Sequence, residues 1–102
     1  MKKLILAAAL ALGVTPALAQ GGKPYAGHEL AKLAKVSMEQ AEAIALKARP
    51  GTIKDRELEK EKGGSGLRYT FDVVGADGKK YEVGVDAADG KVLENGLDND
   101  KD

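Results

Sequence analysis

Two aspartates near the C-terminal end of the chain, Asp86 and Asp89, are the first residues whose type and spacing suggest chemistry. Carboxylate oxygens are preferred calcium ligands, but a calcium site needs several oxygens that converge on one point. Two acids three residues apart do not supply them. Gly90 follows Asp89, and the Asp-Gly pair is typical of a tight turn in which aspartate accepts backbone hydrogen bonds. We therefore predict that both acids form the corner between two strands.

The last residues of the sequence carry a second acidic pattern. Asp98, Asp100 and Asp102 have the 1-3-5 spacing of the first half of an EF-hand loop. The glycine at loop position 6 and the bidentate glutamate at position 12 do not follow in this sequence. We interpret the segment as a solvated acidic tail. No residue is predicted to bind a metal or a cofactor.

Residues for nucleophilic catalysis are scarce. The chain has no cysteine and one histidine, His28. A serine nucleophile needs a histidine within hydrogen-bond reach and a third group that orients it, whereas Ser37 and Ser65 have the settings of a helix cap and a hairpin loop. Sixteen acids leave paired carboxylates open, but a small helix-and-sheet domain offers no deep cleft for them. We predict that the protein is not an enzyme and has no catalytic residues.

The first 19 residues have the composition of a secretory signal peptide. Two lysines precede an apolar run at residues 4–14, and small residues, Ala17 and Ala19, occupy the two positions that a signal peptidase reads. Cleavage is predicted before Gln20. The apolar run is about half as long as the roughly 20 residues that span a bilayer. The sequence thus predicts a periplasmic or secreted protein with no stable membrane anchor after cleavage.

The composition of the mature chain limits its partners and its fold. Removing 19 of the 102 residues leaves 83, with 14 basic and 16 acidic side chains and a net charge of −2. A nucleic-acid-binding protein usually carries a basic patch, and this sequence shows none. Without cysteine there are no disulfides, so one compact core must hold the fold. The length suits a single domain.

Residues 36–51 predict an amphipathic helix that packs closely on a neighbouring element. Ser37 as N-cap and Gln40 three residues later form a capping box. Pro50 and Gly51 end the helix. Four apolar residues share one helix face at i, i+3, i+4 and i+7: Ala41, Ile44, Ala45 and Ala48. Because most of them are alanines, we expect this face to lie close against a sheet.

After Gly51 the apolar periodicity becomes twofold, which is typical of strands. In the polar strand 52–61, Ile53 and Leu58 fall on opposite faces, which predicts a bulge between them. The glycine-rich residues 63–66 form a hairpin loop, and Asp-Gly pairs mark the later turns. Three further strands follow from these signals, at residues 67–73, 81–85 and, as a short final strand, 91–94.

These elements predict the α+β class, with one N-terminal helix packed on one face of a 3–4-stranded antiparallel β-meander. One face of the sheet carries charges. The other face buries five side chains: Tyr69, Phe71, Tyr81, Val83 and Val85. The chain divides into a signal peptide at 1–19, a flexible lead at 20–34 in which a short helix can form, a folded domain at 35–95 and an acidic tail at 96–102.

Three segments together resemble the PepSY domain family: AKVSMEQAEAIALKARPG, ELEKEKGGSGLRYTFDVV and KKYEVGVDAADGKVLE. The family typically shows a capped, alanine-rich helix with a Pro-Gly exit, then a polar strand, an aromatic strand and a Tyr-x-Val-x-Val-Asp-x-x-x-Gly-Lys-Val ending. The first two segments match at Ser37, Ala41, Ala45, Pro50, Gly51, Tyr69 and Phe71. The ending matches at Tyr81, Val83, Val85, Asp86, Gly90, Lys91 and Val92. The resemblance covers residues 35–94.

The resemblance implies a helix on an antiparallel sheet, export, and a part in restraining peptidases, as in the propeptides of thermolysin-like metallopeptidases. It brings no catalytic residues. We therefore predict a non-catalytic exported binding module with a protein partner, which regulates or inhibits a peptidase in the cell envelope. The edge of strand 52–61 is the predicted place for an extended peptide to add. The alternative is a structural or cation-sensing envelope protein that binds divalent metals weakly through its acidic turns and tail.

Overall fold

The computed structural model describes residues 24–98, which form one α-helix and a four-stranded antiparallel sheet. Helix α1 spans Met38–Ala48 and precedes the sheet. The strands, β1 to β4, are Gly51–Lys60, Leu67–Gly75, Lys80–Asp86 and Val92–Leu97. Their order in the sheet is β1-β2-β3-β4, so each strand pairs with the next in sequence. The predicted α+β class and meander are confirmed.

The sequence predicted an N-terminal helix, but α1 is not the first helical element of the described chain. A 3-10 helix at His28–Leu33 comes before it, so α1 lies in the middle of the chain. The predicted signal peptide, with Ala17, Ala19 and Gln20, lies outside the described residues, as does the acidic tail beyond Asp98.

Helix α1 has the predicted start. The Ser37 hydroxyl oxygen accepts a hydrogen bond from the Gln40 backbone N–H at 3.1 Å, and the Gln40 side chain accepts one from the Ser37 N–H at 2.9 Å. This capping box satisfies two N–H groups that have no partner within the helix. At the other end, Arg49 is the C-cap and Pro50 follows.

The alanine face of α1 closes directly onto the sheet. Ala41 and Ala45 are 0% exposed and pack in one cluster with the buried side chains of the sheet. The hydroxyl of Tyr69 donates a hydrogen bond to the Val36 carbonyl at 2.6 Å, which fixes the start of the helix to β2. Small side chains on the helix therefore leave room for large ones below it. The buried large apolar residues of the sheet are Leu58, Tyr69, Phe71, Val73, Tyr81, Val83 and Val85.

Strand β1 contains the predicted bulge. Ile53 pairs with Val73 and Asp55 pairs with Asp72, so the pairing skips one residue between Ile53 and Asp55. The extra residue restores the alternation, because Ile53 and Leu58 then face the same side of the sheet. Both side chains pack against the core.

Strand β4 runs to Leu97 and is longer than the predicted strand at 91–94. Its polar residue Asn95 binds the end of the helix. The Asn95 side chain accepts a hydrogen bond from Arg49 Nε at 3.0 Å and donates one to the Ala48 carbonyl at 3.3 Å. Asparagine and glycine are uncommon in strands, so the residues at 95 and 96 suggest a loop. Here the Asn95 amide instead satisfies a carbonyl at the end of α1 from within the strand.

The close helix–sheet contact gives a first prediction. We expect Ala45→Leu to lower the free energy of unfolding by about 1–3 kcal/mol, because the added carbons have no space under the helix. The control is Ala43→Leu, since Ala43 is exposed on the same helix; its effect should stay within about 0.5 kcal/mol. Urea unfolding of both variants measures the difference. Equal stabilities would contradict the close contact.

Candidate functional site

Asp86, the last residue of β3, is a buried hydrogen-bond acceptor. It is 2% exposed. Its carboxylate accepts hydrogen bonds from the Ser65 backbone N–H at 2.7 Å, the Ser65 hydroxyl at 2.6 Å and the Ala88 N–H at 2.8 Å. The interaction joins the glycine-rich loop to the turn that follows β3. Asp86 is thus part of a structural corner, as the sequence predicted.

The other residues of this corner complete the turn. The Asp89 carboxylate accepts the Lys91 N–H at 2.9 Å, and the Gly90 N–H donates to the Asp86 carbonyl at 2.9 Å. Gly90 has a φ of 82°, a conformation that glycine adopts without strain. The Ala87 carbonyl accepts the N–H groups of residues 35 and 36, both at 2.9 Å. The corner therefore also holds the segment that leads into α1.

Hydrogen bonds keep Asp86 ionised. Burial raises the pKa of its carboxyl, but the hydrogen bonds from Ser65, Ala88 and Asp89 outweigh it and hold the pKa below the usual value of 3.8. The charged form is the one that these donors stabilise.

The Ser65–Asp86 contact lacks the parts of a catalytic triad. A serine nucleophile requires a base that takes its proton, normally a histidine. The histidine of this chain, His28, instead packs edge-on against Tyr25, with ring centroids 6.2 Å apart. Ser37 is held in the helix cap. The positions of these residues agree with structural roles.

The sheet face that points away from α1 is strongly acidic. Strand register places eight carboxylates on or beside this face: Asp55, Glu57, Glu59, Asp72, Glu82, Asp86, Glu94 and Asp98. Arg68 and Lys80 are the basic residues that the same register places among them. We call this surface the acidic face.

Arg68 lies flat across the acidic face and is 8% exposed. One guanidinium nitrogen donates to the Lys62 carbonyl at 3.0 Å, and another is 3.6 Å from the Glu94 carboxylate. Gly84 makes room for it, since a Cβ at Gly84 would lie 3.1 Å from the Arg68 Cδ. The sequence predicted a charged face here but did not predict that Arg68 would be buried in it. The signal that could have indicated this was Gly84, a glycine inside a strand.

Burial and, after it, neighbouring carboxylates raise several pKa values on the acidic face. Burial, together with a hydrogen bond to Glu61 and the charge of Glu57, raises the pKa of Glu59 to about 7. The pKa of Asp72 and that of Glu82 are also raised, first by burial and then by neighbouring carboxylates. The face is therefore less negative at mildly acidic pH than at pH 8.

Three carboxylates of the acidic face converge. Asp72, Glu82 and Asp98 each place an oxygen within 4.8 Å of the oxygens of the other two. Sequence reasoning predicted no metal ligand and did not bring these residues together, because they lie on three different strands or strand ends. The pairing of Asp72 with Glu82 follows from the hairpin register across the Asp-Gly turn.

A small cleft of about 270 Å³ lies where the helix leaves the sheet. The guanidinium carbon of Arg49 is 3.8 Å from the centroid of the Tyr81 ring, and the Tyr81 hydroxyl donates a hydrogen bond to Asp77. This hydrogen bond lowers the pKa of Asp77 and raises that of Tyr81. The arrangement holds the Arg49–Pro50 exit of the helix against β3.

The buried carboxylate gives a second prediction. Asp86→Asn should lower the free energy of unfolding at pH 7 by about 2–3 kcal/mol, because an amide cannot accept all of these hydrogen bonds. Since the folded-state pKa is depressed, the contribution of the carboxylate is present above about pH 4 and is lost as the pH falls further. The wild-type and variant stabilities should therefore converge in acid. Urea unfolding between pH 2 and 7 measures this.

The matched control is Asp89→Asn, which changes an exposed carboxylate in the same turn with one backbone hydrogen bond. Its effect should be below about 1 kcal/mol. Asp86→Asn and Asp89→Asn of equal stability would refute the structural role of Asp86.

Within residues 24–98, no helix combines the length and apolar character needed to cross a bilayer.

We compared the chain with curated proteins, solved structures and protein-family models. Neither the curated proteins nor the solved structures gave a match. Among protein-family models, PepSY, described as "Peptidase propeptide and YPEB domain", matches residues 35–95. This range includes α1, β1, β2, β3 and most of β4, and it is well over half of the sequence. The match confirms the resemblance seen in the sequence, and the chain belongs to the PepSY family.

Proposed function

We propose that this protein is a non-catalytic, exported binding module that regulates or inhibits a peptidase in the cell envelope. The supporting observation is the PepSY match over residues 35–95, which coincides with the helix and sheet described above. PepSY domains are associated with peptidase propeptides and inhibitor-like modules, and they are generally non-catalytic. Proteins that carry them are typically extracellular or located in the envelope.

The geometry of the reactive side chains supports a binding role. The Ser65 hydroxyl and the Asp86 carboxylate hold a corner of the fold, and the Tyr81 hydroxyl and Asp77 hold the helix exit. These hydrogen bonds stabilise the scaffold, which supports a role in binding. Export in this proposal depends on the N-terminal signal peptide, with cleavage between Ala19 and Gln20.

Inhibition assays test the peptidase role. We expect the mature chain, residues 20–102, to inhibit a thermolysin-like metallopeptidase in a saturable and reversible way. Initial rates on a short peptide substrate measure the effect, and mass spectrometry establishes that the protein stays intact. A serine peptidase serves as the specificity control. Absence of inhibition and of binding across a panel of envelope metallopeptidases would refute the proposal.

One observation favours the alternative role, a structural or cation-sensing envelope protein with weak divalent-metal binding. It is the convergence of Asp72, Glu82 and Asp98. Carboxylate oxygens suit calcium, but a calcium ion takes six to eight oxygen ligands, so three carboxylates predict weak binding at best, with a Kd of about 1 mM.

Calorimetric titration with calcium tests this second role. Under it, the wild type releases or absorbs heat on calcium addition, and Glu82→Gln abolishes the signal. Glu39→Gln is the control, because it removes the same charge from an exposed position on α1. A flat trace for the wild type would eliminate cation sensing and leave the peptidase role unaffected.

A further inference from the structure

We propose that the outer edge of strand β4 binds an extended segment of a protein partner by strand addition, and that this segment alternates basic with apolar side chains. The inference rests on the proposed function, since it names the surface and the chemistry through which the partner is held. It also moves the binding edge, because the sequence had pointed to strand 52–61, at the opposite side of the sheet.

The edge of β1 is already occupied across its middle. Two backbone N–H groups that point outward from β1 have partners: Arg56 donates to the Asp55 side chain, and Leu58 donates to the Ala26 carbonyl, both at 2.9 Å. Ala26 also forms an isolated parallel bridge with Glu57. An incoming strand would have to displace this segment. The β1 edge is therefore a poor site for strand addition.

Within residues 24–98, no strand pairs with the outer edge of β4. The Asp98 N–H donates to the Lys80 carbonyl at 3.0 Å, so Asp98 and the alternate residue Gly96 direct their backbone groups toward β3. Successive residues of a strand point to opposite edges. Asn95 and Leu97 therefore direct their N–H and C=O groups outward, where no strand among residues 24–98 pairs with them. These four groups can form a ladder with an added strand.

The helix side of the β4 edge offers apolar contacts. Val92 is 41% exposed and Leu97 is 51% exposed, and register places both on the face that α1 covers. Burying apolar side chains against them contributes roughly 25 cal/mol per Å² removed from water. Every second side chain of the added segment should thus be apolar.

The opposite side of the same edge is acidic. Glu82, Glu94 and Asp98 lie on β3, on β4 and at the end of β4, and the charges near them are those of Asp72, Glu61, Arg68 and Lys80. Acids outnumber bases in this group by five to two. Lysine or arginine side chains from an added strand would compensate the excess, whereas acidic ones would increase the repulsion. Charge complementarity therefore selects basic residues at the alternate positions.

The same charges disfavour a second copy of this chain as the occupant. An antiparallel pair of β4 strands centred on Gly96 would place Glu94 opposite Asp98. Like charges directly opposite each other destabilise strand pairing. We therefore take a basic segment of another protein as the occupant, and self-association through β4 is the outcome that would contradict this choice.

A defined peptide tests the proposal. The probe is a seven-residue peptide that alternates lysine and valine, and the control peptide has glutamate in place of lysine. In NMR spectra of the isotope-labelled mature chain, we expect the lysine peptide to shift the Asn95 and Leu97 amide signals and to slow their hydrogen exchange. Binding should weaken as salt is added. The glutamate peptide should cause no shift.

Two variants separate backbone pairing from side-chain contact. Leu97→Pro removes an outward N–H, a change that edge strands tolerate, and Leu97→Ala keeps that N–H while shortening the side chain. We expect Leu97→Pro to bind the lysine peptide about tenfold more weakly than Leu97→Ala, because a hydrogen bond is lost. Glu94→Lys tests the acidic side independently and should also weaken binding about tenfold at low salt, whereas Glu39→Lys, with the same change in net charge, should not.

Several outcomes would overturn the proposal: equal binding by Leu97→Pro and Leu97→Ala, peptide-induced shifts confined to β1, no binding of the lysine peptide, or self-association of the chain through β4.

Failure of this inference is distinguishable from failure of the proposed function. If Leu97→Pro inhibits a peptidase as well as the wild type does, the function stands and the β4 edge is wrong. If the peptide binds at β4 but no peptidase is inhibited, the edge stands and the function is wrong.

Discussion

The buried carboxylate of Asp86 connects parts of the chain that are far apart in sequence. It receives hydrogen bonds from Ser65 in the loop after β1 and from Ala88 in the turn after β3. The neighbouring Ala87 carbonyl receives those of the segment that leads into α1. Because the sequence contains no cysteine, hydrogen bonds and packing must do what disulfides do in many small exported domains. The corner thus joins the segment before α1 to the sheet.

The two faces of the sheet differ in polarity: one is apolar and covered by α1, and the other is acidic. Toward α1, alanines on the helix and large side chains on the strands exclude water, and this burial stabilises the fold. On the acidic face, burial and then neighbouring carboxylates raise the pKa of Glu82, and the basic residue Arg68 is buried among the acids. Such repulsion destabilises the folded chain on its own. The acidic face therefore adds little to the stability of the fold, which rests on the face toward α1.

Local signals in the sequence predicted local structure well. Ser37 and Gln40 identified the helix cap, the spacing of Ile53 and Leu58 identified the bulge, and Asp89-Gly90 identified the turn, since each depends on neighbours within a few residues. Interactions between distant residues were missed. The length of β4 depends on Asn95 reaching the helix end, and the convergence of Asp72, Glu82 and Asp98 requires the register of three strands. Periodicity does not encode these contacts, because they appear only when the sheet is assembled.

The segment that lies along β1 also limits how far strand pairing can propagate. Gly27 has a φ of 85°, and a Cβ at this position would overlap the Leu58 carbonyl oxygen, so the close approach requires glycine. A sheet with two accessible edges can polymerise into fibrils, since each added strand exposes a new template. Here the segment at Ala26 covers the middle of the β1 edge, so a subunit that accepts one strand at β4 has a less accessible edge on its other side. We therefore expect a complex formed by the proposed strand addition at β4 to contain one partner segment per subunit.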